Sequence, residues 1–109
     1  MNKTKRTRLE ARGWRIGSAK DFLGLSSEEA SLVETRLALS RALRSRRLAH
    51  GLTQGELARR LKSSQSRVAK MEAGDRTVSV DLLVKALFSL GAKPRDVGRA
   101  LQRRSNAAA

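Results

Sequence analysis

The chain has 109 residues, with 24 Lys plus Arg against 10 Asp plus Glu, a formal charge of +14. It has no Cys and one His, His50, which excludes disulfides, thiolate metal sites, thiol catalysis and His-rich metal sites. Only Trp14, Phe22 and Phe88 are aromatic, too few for the stacking platforms that hold single strands, and no apolar run approaches the ~20 residues of a membrane span.

The charge is unevenly laid out. Residues 1–20 are net +6, residues 21–40 net −3, and residues 41–62 again +6. Such a chain is expected to meet a polyanion, nucleic acid before a membrane surface, because neutralising phosphates releases counterions. Residues 1–12 are polar and without periodicity, and read as a basic flexible arm. Its Lys3, Lys5, Arg6, Arg8 and Arg12 either reach DNA or stay solvated. No apolar stretch follows, so the arm is not a secretory signal, and the expected location is the cytoplasm, associated with the nucleoid.

Residues 13–36 read as an N-terminal extension. Ser18 with Asp21 caps a short helix that carries Phe22 and Leu23 and stops at Gly24. Ser26 with Glu29 opens a long helix that runs to about His50, ended by Gly51. Its apolar positions change direction between Leu37 and Leu39, so it either breaks near its middle or touches different partners along its length. Thr53 caps a helix over 54–61, Ser64 one over 65–73 and Ser79 one over 80–90. The helix over 80–90 is the expected centre of the core, through Leu82, Leu83, Ala86, Leu87 and Leu90. Pro94 starts a last helix over 94–103, with Val97, Ala100 and Leu101 as its stripe. Residues 104–109 read as a disordered tail. β-branched residues never cluster, so the expected fold is all-α.

Residues 52–74, LTQGELARRLKSSQSRVAKMEAG, place two short capped helices about three residues apart. Small Ala58 stands at their crossing, and Leu57, Leu61, Val68 and Met71 supply a joint core, the pattern of a helix-turn-helix. Over residues 37–103 the chain resembles the Xre/Cro (lambda-repressor-like) DNA-binding domains. The resemblance rests on LTQ at 52–54, LA at 57–58, Leu61, SQS at 64–66, Val68, Glu72-x-Gly74-x-Arg76, and Leu82, Leu83 and Leu87. It departs at Lys62, where such domains often carry Gly because the turn needs a positive φ. A lysine there costs on the order of 1 kcal/mol.

The resemblance implies a five- to six-helix lambda-repressor-like DNA-binding domain. Helix 65–73 would enter the major groove of a double-stranded operator. Gln65, Ser66 and Arg67 are the candidates for contact with bases: the Gln amide matches adenine, and the Arg fork matches guanine. Gln54, Ser64, Lys70 and Arg76 are the candidates for phosphate. Ser64 is equally needed as a helix cap. Glu72 is read as structural, paired with a basic residue such as Arg47 or Arg76. The implied activity is sequence-specific transcriptional regulation, as a repressor, by a homodimer. Val97, Ala100 and Leu101 are its candidate interface, and recognition helices would lie one DNA turn, about 34 Å, apart.

In arrangement, a short preface before this motif, the chain also resembles HigA-type antitoxins. That implies autoregulation and neutralisation of a small ribonuclease toxin. Asp21, Glu28, Glu29 and Glu34 are then candidates for meeting a basic toxin. Acids at a helix start have a plainer reading, stabilisation by the helix dipole. The rival functions are an interaction protein whose main task is toxin binding and a sequence-nonspecific nucleic-acid binder. An enzyme is unsupported, since no nucleophile, phosphate loop or metal cluster accompanies the carboxylates. No cofactor, metal or membrane partner is expected.

Overall fold

The computed structural model describes residues 24–108, with side chains through Gln102. The basic arm, the short helix from Ser18, Trp14, Phe22 and Asp21 lie outside the described residues. Five helices follow in order: α1 Ser27–Ala49, α2 Gln54–Arg60, α3 Gln65–Ala73, α4 Val80–Ser89 and α5 Pro94–Ala108. Among the described residues there is no strand. The chain divides into two units between Glu34 and Thr35, and α1 runs through that boundary.

In the first unit the start of α1 is set by a capping box. The Glu29 backbone N–H donates to Ser26 Oγ at 3.1 Å, and the Ser26 N–H donates to Glu29 Oε1 at 3.0 Å. Glu28 and Glu29 occupy the first turn, where the helix dipole favours negative charge.

The second unit is built around α4. Leu83, Ala86, Leu87 and Leu90 are buried and meet Leu39 and Leu43 of α1, Leu57 and Ala58 of α2, and Val68 and Met71 of α3 in one cluster. The central role expected of residues 80–90 is therefore realised. α1 does not break: it contains neither Gly nor Pro, and it accommodates the shift of its apolar stripe by burying Ala38, Leu39 and Leu43 while leaving Leu48 exposed.

The tail departs from expectation. α5 continues to Ala108, where residues 104–109 were expected to be disordered. Pro94 lies at the start of this helix, as expected, and Arg103, Arg104 and the closing alanines are good helix formers that carry it past Ser105 and Asn106. Among the described residues no helix is long and apolar enough to cross a membrane.

Candidate nucleic-acid interface

The caps come first, because they set where each helix of the motif begins. Thr53 Oγ1 accepts from the Glu56 N–H at 3.0 Å, and Glu56 Oε1 accepts from the Thr53 N–H at 2.9 Å. The hydrogen bonds to Thr53 hold the Glu56 carboxyl below its ordinary value. Ser64 Oγ accepts from the Arg67 N–H at 3.1 Å, so its hydroxyl serves as the N-cap of α3.

Between the helices the chain reverses through Lys62, the only non-glycine among the described residues with positive φ, at 56°. The sequence points to this position as the one that wants glycine. The turn is held by the Ser63 N–H, which donates to the Ala58 carbonyl at 2.8 Å. Ala58 is buried at the crossing, and Leu57, Val68 and Met71 are buried around it. All four are apolar, and the small Ala58 lets the two helices close upon one another.

The first turn of α3 is thereby turned outward. Gln65, Ser66 and Arg67 are exposed, and Lys70 is exposed one turn later. That first turn contains no acidic residue, so its unpaired N–H groups and positive dipole end are left for an anion. Beyond α3, Gly74 takes the left-handed conformation at φ 73° and ends the helix. The Asp75 carboxylate then accepts from the Thr77 N–H at 2.8 Å and from the Thr77 hydroxyl at 2.5 Å. These bonds lower the Asp75 pKa, and the turn they close presents Arg76 to solvent. Arg36 anchors the far side of this loop by donating to the Val78 carbonyl at 3.0 Å.

Behind the exposed turn runs a chain of polar contacts. Arg47 of α1 donates from Nε to Glu72 Oε2 at 2.5 Å and from Nη2 to Glu72 Oε1 at 2.9 Å. Its Nη1 donates to the Leu52 carbonyl at 2.8 Å. The two side chains are 9% and 4% exposed, which makes this a buried ion pair with its polar atoms satisfied. The bond to Glu72 raises the Arg47 pKa against the opposing effect of burial. Glu72 Oε1 also accepts from Gln54 Nε2 at 3.2 Å, and Gln54 Oε1 accepts from Gln65 Nε2 at 3.5 Å. The chain thus leads from a buried arginine to the exposed amide at the tip of α3.

Of the residues singled out in the sequence, Gln54, Ser64, Gln65, Ser66, Arg67 and Lys70 belong to α2, α3 and the turn between them. Glu72 pairs with Arg47, one of the two partners expected for it. The Gln54–Gln65 contact and the anchoring by Arg36 have no expectation behind them: each depends on how helices cross, which spacing along the chain does not encode. The other candidates stand elsewhere. Val97 and Ala100 are half-buried and Leu101 is 36% exposed on α5. Glu28 and Glu29 are exposed and Glu34 half-buried on α1, with Glu29 engaged in the cap of its own helix. Among the described residues no group of His, Cys, Asp and Glu could hold a metal ion.

Residues 43–95 match the family described as Helix-turn-helix. The matched stretch opens at buried Leu43 and takes in α2, the turn, α3, the Asp75 loop and α4. No curated protein matches the chain, and no solved structure matches it.

Proposed function

Since residues 43–95 are a helix-turn-helix DNA-binding domain of the Xre, lambda-repressor-like family, we propose that the chain is an operator-specific repressor. The observation that carries this reading is the exposed, acid-free first turn of α3, with Gln65 in a long, 3.5 Å contact with Gln54 and the buried Arg47–Glu72 pair behind it. An amide positioned in this way presents a donor and an acceptor to one base edge, the pairing that suits adenine. Arg67 reads an adjacent guanine, and Ser66 meets either a base or a phosphate. Gln54, Lys70 and Arg76 grip phosphates, while Ser64 acts first as the cap. Two chains occupy a palindromic site in the cytoplasm, paired through Val97, Ala100 and Leu101 of α5, and repress by excluding polymerase.

A role as an antitoxin extends this reading. Its support is the exposed Glu28 in a stretch of net negative charge, in a chain of +14. The candidate residues toward a basic toxin are Asp21, Glu28, Glu29 and Glu34, of which Glu29 also caps its own helix.

The test is fluorescence anisotropy with a duplex from the region upstream of the chain's own gene and with a scrambled duplex, each at low and physiological salt. Tight binding to the first alone, surviving physiological salt, is the expected result. Equal and salt-labile binding to both leaves only phosphate attraction and overturns operator specificity.

A further inference from the structure

α1 has two working sides. Arg47 points toward Glu72 and the reading helix. About 200° around the helix from Arg47, at ~100° per residue, Ser45 faces an open groove between α1 and α5. The groove has a volume of about 610 Å³. Ala38, Ala42 and Ala49 of α1 and Val97 and Ala100 of α5 give it a shallow apolar floor. From Ala38 to His50 it runs ~18 Å, more than three turns of helix.

Its rim is cationic. Arg41 is exposed and makes no hydrogen bond or ion pair among the described residues. Arg99 has a side chain 66% exposed and stands 3.7 Å from Asp96. Arg46 reaches the same carboxylate at 3.9 Å and the Leu90 carbonyl at 3.5 Å, both at the long limit of such contacts. Asp96 is the one acid on the rim, and it also accepts from the Lys93 N–H at 2.8 Å. Two guanidiniums, Arg46 and Arg99, therefore share one carboxylate that already caps α5, and the third, Arg41, has none. Alanines on the floor let a helix approach closely, at the ~8 Å end of helix spacing.

We propose that this groove is a docking site for an acidic amphipathic helix of another protein. The apolar face of that helix lies on the alanine floor, and its carboxylates meet Arg41, Arg46 and Arg99. A DNA backbone presents phosphates and sugars, and gains little from an apolar floor. A second copy of this chain is the poorer occupant: its own α5 brings Arg95, Arg99, Arg103 and Arg104 against one Asp. Of the three candidate pairing residues, Val97 and Ala100 line the groove and Leu101 does not, so the oligomeric state is read alongside peptide binding.

The test uses the full chain and a fluorescein-labelled peptide of ~18 residues, ~27 Å as a helix, with Leu and Ala on one face and Glu on the other. A version with Lys for Glu and a 20-base-pair duplex, about two turns of DNA, are the comparisons. The Glu peptide is expected to bind saturably and the Lys peptide not at all. The R41E/R99E double variant should weaken the Glu peptide at least tenfold. Ser45→Trp, which fills the groove from an exposed position, should abolish its binding while leaving the melting temperature and duplex affinity unchanged. Three results overturn the proposal. One is equal binding of both peptides, or of neither. Another is competition between peptide and duplex, with R41E/R99E weakening both alike, which makes the groove a phosphate surface. The last is a Ser45→Trp variant that sediments as a single chain where the parent is paired, which makes the occupant a second copy.

Discussion

Arg47 and Glu72 are the residues in this domain whose burial needs the most compensation, since moving each charge out of water costs several kcal/mol. The bidentate contact, the Leu52 carbonyl and the Gln54 amide together supply it. Glu72→Ala leaves the guanidinium buried without its partner and should cost about 3–5 kcal/mol, read from the urea midpoint. Gln65 stands at the exposed end of the same chain of contacts, and its loss should matter chiefly with DNA present. Gln65→Ala or Arg67→Ala should lose about 1–3 kcal/mol on the preferred operator and little on random DNA, whereas Lys70→Ala should weaken both. Two glycines share the same left-handed backbone, φ 69° at Gly51 and 73° at Gly74, and differ only in what a side chain would touch. A Cβ at Gly74 would stand 2.7 Å from Leu37 Cδ2, while one at Gly51 meets open space. Gly51→Ala should cost roughly the 1–2 kcal/mol of a left-handed alanine, and Gly74→Ala about the same, since the Leu37 methyl it meets ends a flexible side chain that can turn aside, in the same denaturation series. Lys62→Gly should gain up to about 1 kcal/mol, the relief of strain less the greater freedom of glycine in the unfolded chain.

The elements owe their limits to short local signals, which is why so much of this helix order is legible in the sequence. Thr53, Ser64 and Ser79 each cap the helix that their spacing announces, with hydroxyl contacts of 3.0 to 3.1 Å. Glycines at 51, 74 and 91 take positive φ just beyond α1, α3 and α4. The end of α5 was less legible, because Ser105 and Asn106 resemble a stop while the residues around them favour continuation. The caps also tie the helices to pH. Glu56, Asp75 and Asp96 all have lowered pKa values, owing first to hydrogen bonds from Thr53, Thr77 and the Lys93 backbone respectively. Carboxyls depressed in the folded state contribute stability that is complete above their unfolded values near 4 and is lost as pH falls through the folded ones. Thermal melts from pH 6 down to pH 2 should therefore show the midpoint falling below about pH 4. Thr53→Ala and Glu56→Gln should flatten that fall.

At the scale of the whole molecule, the proposed contact with DNA rests on charge for its strength and on geometry for its choice of site. If Lys70, Arg76 and one of Arg59 and Arg60 neutralise a phosphate in each of two chains, the logarithm of affinity should fall with that of salt at a slope of about −5. A slope near −2 would mean that most of these cations stay solvated. Composition points to a polyanion partner, and the LTQ and SQS motifs lie where α2 and α3 begin. The amide contact between Gln54 and Gln65 was beyond both, since it arises only when α2 and α3 fold against each other at Ala58. That contact bears on heat as well as on shape. A long polar side chain that orders only on binding loses about 1.5–2 kcal/mol of rotamer entropy, and here part of that loss is already incurred when the domain folds. Cutting the Gln54 link should accordingly make binding entropically less favourable in calorimetry, even where Gln65 still reaches its base.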